Sequence, residues 1–304
     1  MKKHGLLFII LVMTFTNAFS QIINSGNMAF NNVKTDAVNV NGTKFYYRKL
    51  GTPNESVPVI FLNHLGATLD NCDPRIMDGI ASKHQIIAFD NRGVGATEGK
   101  TPITIAEMAK DAIGFIKAMG FEKVDIIGFS MGAFVAQEIL LQEPQLVRKV
   151  VMTGTGPAGG EGIKDVSKIT YWDMFRGYLT FRDPKFYLFF NQNENGKKVA
   201  KEFLARIKER TENRDEKIKL QSFGNQLKAI HSWGTQKPQD LSVIQQPVLI
   251  VNGDNDRMVP SSNTYDLAKR ISNSELIVYK DAGHGGIFQN HEEFVKSALA
   301  FLAK

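Results

Sequence analysis

The stretch VDIIGFSMGAFVA, residues 124–136, carries an apolar run into a serine flanked by glycines, then out into small and apolar residues. Val124, Ile126 and Ile127 predict a buried strand, and 133–141 predicts a helix. Between them, Gly128, Phe129, Ser130, Met131 and Gly132 leave room only for a very tight turn. A serine on such a turn has strained backbone angles. The residues two before and two after it must lack bulk, because the helix packs close to the strand there. The turn exposes the hydroxyl and aims helix N–H groups at the space beside it, donors suited to a developing oxyanion. The stretch therefore points to Ser130 as a nucleophile.

A serine hydroxyl is a poor nucleophile at neutral pH and needs a base, itself oriented by a third group. Among the histidines, only His284 is flanked by glycines on a loop after a predicted strand, where an imidazole is freely presented. His4 belongs to the N-terminal leader, His84 to a polar, surface-like segment, His231 to the end of a helical insertion, and His291 to the start of the last helix. His64 follows an apolar strand and can pack under the site. Asp254 and Asp256, on the loop after 247–251, compete to orient the base; Asp254 directly follows Gly253, where an aspartate often caps its own turn. Both loops leave the carboxyl ends of predicted parallel strands, the edge at which the serine turn also emerges. An oxyanion site needs two backbone donors. Met131 N–H is one, and Gly66 N–H, or alternatively Leu65 N–H, on the loop after 57–62 is the other.

Outward from this centre, strands are expected at 57–62, 86–89, 147–152, 248–251 and 276–279, after a hairpin at 33–50 turning on Asn41-Gly42. Helices are expected at 103–119, capped by Thr104 with Glu107 closing a capping box, and at about 262–271 and 291–303. Strands alternating with helices predict an α/β fold, a mostly parallel sheet with helices on both faces. Residues 156–240 break the rhythm: a glycine-rich loop precedes a segment dense in aromatic residues. They read as a mobile helical cap inserted in a core of 21–155 and 241–304, with Trp172, Phe175 and the core ring Phe129 expected to line an apolar pocket. Arg92, in the turn DNRGVG at 90–95, is expected in an ion pair.

The chain has 304 residues, 43% of them hydrophobic, enough for one large domain with an insertion. Lys2, Lys3, a short apolar run and the Ala18-Phe19-Ser20 signal before Gln21 read as a secretory signal peptide over 1–20 and an exported protein, periplasmic or extracellular. The apolar run is too short to span a bilayer comfortably, so no stable membrane span remains after its removal. The single cysteine, Cys72, excludes an intramolecular disulfide and lacks metal-ligand spacing, so it is expected as a packed thiol. The net charge of +6 comes from scattered lysines, and the charge-dense stretch 197–219 mixes signs, against a nucleic-acid partner.

With NHLG at 63–66, DNRGVG at 90–95, GFSMG at 128–132, TGTGP at 153–157, GDNDRMVP at 253–260 and AGHG at 282–285, the chain resembles the α/β-hydrolases, in the branch of cofactor-free haloperoxidases, perhydrolases and small esterases or lactonases. The resemblance covers about 40–303. It implies that the acid lies three residues after Gly253, which selects Asp256 over Asp254. In such families the oxyanion loop usually reads H-G-x-x; here Leu65 replaces that glycine and Gly66 follows it.

The expected chemistry is hydrolysis of an ester, lactone or thioester of a small-to-medium apolar acyl substrate through an acyl-enzyme, with no metal or other cofactor. The alternatives are a haloperoxidase or perhydrolase activity on the same three residues, a capped serine aminopeptidase, and a binding protein that keeps the fold without catalysis. A fluorophosphonate probe separates the last from the others.

Overall fold

The Asn41-Gly42 pair makes the hairpin expected of it. Strands β1 (Thr35–Val40) and β2 (Thr43–Leu50) pair antiparallel with Val40 opposite Thr43. Both turn residues have positive φ, 50° and 87°, as a tight two-residue hairpin turn requires. The computed structural model describes residues 29–52 and 57–304, so the expected leader at 1–20 lies outside the described residues.

The remaining strands are β3 (Val59–Leu62), β4 (Ile86–Phe89), β5 (Val124–Phe129), β6 (Val147–Thr153), β7 (Val248–Gly253) and β8 (Ser274–Tyr279). They form one sheet of eight strands in the order β1-β2-β4-β3-β5-β6-β7-β8. β2 joins β4 antiparallel, and every pairing from β4 to β8 is parallel. β3 and β5 sit at the centre and are buried along their whole length. Such strands read as unbroken apolar runs because both faces are covered.

The helices are α1 (Pro74–Ala81), α2 (Ile105–Ala118), α3 (Met131–Gln142), α4 (Val166–Thr180), α5 (Lys185–Leu188), α6 (Glu194–Arg206), α7 (Leu220–Thr235), α8 (Ser262–Arg270), α9 (Gly286–Gln289) and α10 (His291–Ala303). Side chains alternate across the sheet. Ile60, Ile126, Val150 and Ile250 meet α2, α3 and α8, while Phe61, Ile127, Val151 and Leu249 meet α1 and α10. Thr104 caps α2 by accepting the Glu107 N–H at 3.2 Å, and Arg92 pairs with Asp111 at 2.8 Å. Cys72 is buried, takes an Asn63 side-chain N–H at 3.2 Å, and has its thiol pushed up to about 12 by burial. One expectation fails here: His84 is buried rather than on the surface, because it packs at the base of the parallel strands, where burial lowers its pKa.

The inserted helices α4–α7 lie between β6 and β7 and are fastened to the core at many points. Arg206 pairs with Asp73 at 2.7 Å, both nearly buried. Arg214 and the Asp215 N–H both bond Asp70, itself paired with Arg48 at 2.8 Å. The Asp215 carboxylate accepts Leu69 N–H and Ala96 N–H. Its neighbour Asp90 is pushed well above the usual carboxylate range by burial and then by Asp215 itself. Burial and the neighbouring Asp215 charge thus both favour the protonated form of Asp90 over an ordinary carboxylate. The segment expected to be a mobile lid is thus tied along its length.

Candidate active site

Ser130 follows β5 and heads α3, with φ 55° and ψ −118°. Its N–H donates to Thr153 O at 2.9 Å, and its carbonyl accepts Ala133 N–H at 2.9 Å, so neighbouring elements hold the strained backbone in place. The flanking glycines have a steric cause. A Cβ on Gly132 would stand 2.0 Å from Leu62 O, and one on Gly128 would stand 2.7 Å from Ala133 Cα. α3 is pressed against the ends of β3 and β5, and no side chain fits at the contact.

The loops after β7 and β8 bring two more groups to this turn. His284 Nε2 is 2.9 Å from Ser130 Oγ, and His284 Nδ1 is 2.7 Å from Asp256 Oδ2. A carboxylate only accepts, so Nδ1 carries the proton and Nε2 is left as acceptor for the serine O–H. The other Asp256 oxygen accepts Met258 N–H at 2.8 Å and Val259 N–H at 2.9 Å, which fixes the carboxylate plane. Asp254 does something else: its Oδ1 accepts Ala282 N–H at 3.2 Å and the Asn255 amide at 2.8 Å, holding the β7 loop against the β8 loop. All three connected residues are buried, Ser130 at 7% exposure. The described surface also has clefts bordered by Lys117, Phe121 and Glu143, and by Pro157, Pro238 and Asn263; neither includes any of the three.

On the loop after β3, the two candidate donors differ. Gly66 has φ 75°, and its N–H is already donated to Gln226 Oε1 on α7 at 2.8 Å. The carbonyl of the same peptide, Leu65 O, accepts His64 Nδ1–H at 2.8 Å. One peptide plane is therefore clamped from both sides. The N–H groups of Leu65 and Met131 have no acceptor among the described residues. His64 packs under the site as expected, its ring 5.5 Å from Phe129 and 5.0 Å from Phe189. Burial, reinforced by the Lys185 charge, pushes its pKa down to about 3, so it stays neutral.

The pocket rings differ from expectation. Phe129 is buried with its centroid 5.0 Å from His284. Trp172 and Phe175 are not beside it; they stand on the outer face of α4, 61% and 52% exposed. The rotation of α4 is the reason. Val166, Thr170, Asp173 and Gly177 form its buried face, and Asp173 is ion-paired to Arg257, next to Asp256. The rings against His284 are instead Phe129 and Phe189 at 5.6 Å, and Phe288 backs both, packing 4.8 Å from Phe129 and 5.9 Å from Phe189. Phe189 also accepts Gly285 N–H on its carbonyl at 2.7 Å. Asp281, in the same loop, collects Asn191, Asn193 and Asn195 at 3.3, 2.6 and 3.1 Å. The cap thus grips the histidine loop. The sequence held one unused signal for Gln226: an uncharged polar residue among Leu227, Ile230 and Trp233 on a buried helix face, with 0% exposure.

A family model for the alpha/beta hydrolase fold matches residues 57–291. The chain belongs to the α/β-hydrolase fold family. The α/β-hydrolase fold protein from Chitinophaga pinensis is similar to it at 36% identity, with TM-score 0.86 over 90% of this chain and 98% of that one. Est816, described as an N-acyl homoserine lactone degrading enzyme, shares 23% identity and TM-score 0.68 over 88% of this chain and all of that one. A bromoperoxidase from Bacillus anthracis shares 19% and TM-score 0.71 over 89% and 100%. These last two are likenesses of fold alone. Fold and relatives support a hydrolase of the α/β-hydrolase class, and no helix among the described residues is long and apolar enough to cross a membrane.

Proposed function

We propose that this α/β-hydrolase is a serine hydrolase of carboxylic esters, lactones or thioesters, with Ser130 as nucleophile, His284 as base and Asp256 as the group that orients it. The observation that carries the reading is the unbroken pair of hydrogen bonds, 2.9 Å and 2.7 Å, from Ser130 Oγ through the His284 ring to Asp256. In the forward step His284 Nε2 takes the hydroxyl proton as Ser130 Oγ attacks the acyl carbon. The oxyanion forms beside Met131 N–H and Leu65 N–H, donors with no other acceptor among the described residues. His284 returns its proton to the leaving oxygen or sulfur, and the acyl group stays on Ser130. Water then attacks with the same base, and Ser130 leaves protonated. Asp256 stabilises the imidazolium at each stage and keeps the tautomer.

Phe129 and Phe189 support an apolar acyl group, since they pack against the imidazole, with Phe288 behind them. The protein is read as exported, on the character of residues 1–20. The decisive experiment is labelling with a fluorophosphonate, followed by peptide mapping, beside hydrolysis of p-nitrophenyl acetate, butyrate and octanoate. Label on Ser130 together with ester turnover is expected. Turnover without label on Ser130 would move the chemistry elsewhere.

A further inference from the structure

The outer face of α4 is the largest unexplained feature of the described surface. Tyr171, Trp172, Phe175, Tyr178 and Leu179 are 57%, 61%, 52%, 78% and 59% exposed, and Phe181, just past the helix end, is 97% exposed. Their spacing puts them in one stripe along the helix, so the solvent side is apolar. The stripe has no way to turn inward. Asp173, fully buried, is paired with Arg257, and a Cβ on Gly177 would lie 2.7 Å from Arg182 O. Rotating α4 would pull a carboxylate out of its ion pair to bury a ring.

Soluble chains seldom display a contiguous apolar patch of this kind without an occupant. Shape and charge narrow the choice. The stripe is the convex ridge of one helix, about 12 Å long from Tyr171 to Leu179 at 1.5 Å per residue. A ridge gives a peptide no groove, but enters a soft surface readily. Lys164, Lys168, Arg176, Arg182 and Lys185 flank it in the chain, against Asp165 and Asp183, with the two arginines lying over the Tyr187 and Phe186 rings at 4.0 and 4.5 Å. Lys168 and Lys185 neutralise those two aspartates locally, at 2.7 and 3.5 Å, and the remaining excess is positive. A second copy would bring two like-charged ridges together. An anionic lipid surface offers opposite charge to the rim, and an interface between water and hydrocarbon in which tryptophan and tyrosine are at home.

We propose that the α4 ridge docks this protein on the surface of an anionic bilayer, with Tyr171, Trp172, Phe175 and Tyr178 entering the headgroup layer and the basic rim contacting lipid phosphates. The proposal is independent of the hydrolase reading. The chain carries its own reporter, because of its two tryptophans Trp172 is exposed and Trp233 is 1% exposed. Purified protein is mixed with vesicles of phosphatidylcholine, with or without phosphatidylglycerol, and binding is followed by co-sedimentation and tryptophan emission. Expected are a blue shift with anionic vesicles, quenching by lipids brominated on the acyl chain, and weaker binding as salt rises. The combined variant Tyr171→Ser, Trp172→Ser, Phe175→Ser, Tyr178→Ser should bind at least about tenfold less. If that variant does not fold, the brominated-lipid measurement on the unaltered protein decides alone. No blue shift and no quenching would overturn the proposal. So would sedimentation equilibrium showing a dimer whose formation shields Trp172 from acrylamide, which would assign the ridge to a second copy.

Discussion

Phe129 and Phe189 pack against the His284 imidazole with Phe288 behind them, almost without exposure, whereas Tyr171, Trp172 and Phe175 on α4 are more than half exposed. Both groups are aromatic, and Phe189 comes from the same inserted segment as the α4 rings. The difference lies in what else each element must bury. The turn around Phe189 is tied to the histidine loop through its own carbonyl, which carries its ring inward. α4 has a carboxylate, Asp173, on the face that meets Arg257, and the rings take the opposite side. The phase of α4 is held at two points on that face: the fully buried Asp173 carboxylate meets the half-exposed Arg257, and Gly177 packs where no Cβ fits. Turning the helix would strand a buried carboxylate without its partner and force side chains into the Gly177 contact.

Four measurements sharpen or break this contrast between a built centre and an outward ridge. The largest effect belongs to the centre. Ser130→Ala should lower kcat for p-nitrophenyl butyrate by about 10⁴–10⁶ while circular dichroism stays unchanged. Near-normal turnover would remove Ser130 from the chemistry and with it the sense of a centre. Asp256→Asn should lower kcat by roughly 10⁴, since an amide at Nδ1 favours the wrong tautomer. Asp254→Asn should cost less than about tenfold, because its bonds join two loops and do not touch the imidazole. The reverse order of kcat values would transfer the orienting role.

Gln226→Leu leaves Gly66 N–H without its acceptor and one side of the Leu65–Gly66 peptide free. It should lower kcat by up to about 10², bounded by the loss of one oxyanion donor, with KM little changed. Gln226→Glu keeps an acceptor and should recover most of that loss. Equal defects in the two variants would mean the clamp has no bearing on turnover. The smallest effects compare the two sets of rings. Phe189→Ala should destabilise by about 3–5 kcal/mol in urea denaturation, and Trp172→Ala should stay within about ±0.5 kcal/mol. Comparable losses would show that the ridge is packed in solution, against the exposure of Trp172.

The fold was legible in the sequence where local rules and tertiary demands agree. The hairpin at Asn41-Gly42, the apolar runs of β3 to β7, the Thr104 cap and the GFSMG turn each carry their own cause within a few residues. The connected Ser130, His284 and Asp256 were legible for the same reason: strand-end loops in a parallel sheet converge at one edge, so position along the chain implies position in space. Asp256 was separable from Asp254 only by resemblance, since both stand on the same loop. What stayed hidden depends on contacts distant in the chain. Gln226 reaches Gly66 across 160 residues, and nothing around Gly66 announces that its N–H is spoken for. The orientation of α4 rests on Asp173 meeting Arg257 across 84 residues. Its ring positions alone fit either an inward or an outward face. His84 looked like a surface residue because its neighbours are polar, but it sits where the base of the sheet closes.

The backbone of Ser130 has one further consequence. At φ 55° and ψ −118° it occupies a region that glycine enters far more easily than serine. A glycine there would relax the turn and leave the fold more secure, at the loss of the hydroxyl. Drift under pressure for stability alone would therefore run away from serine at this position. On the proposed reading of Ser130, the strain of this turn is therefore a standing cost in stability, carried to keep a hydroxyl where a glycine would fit more easily.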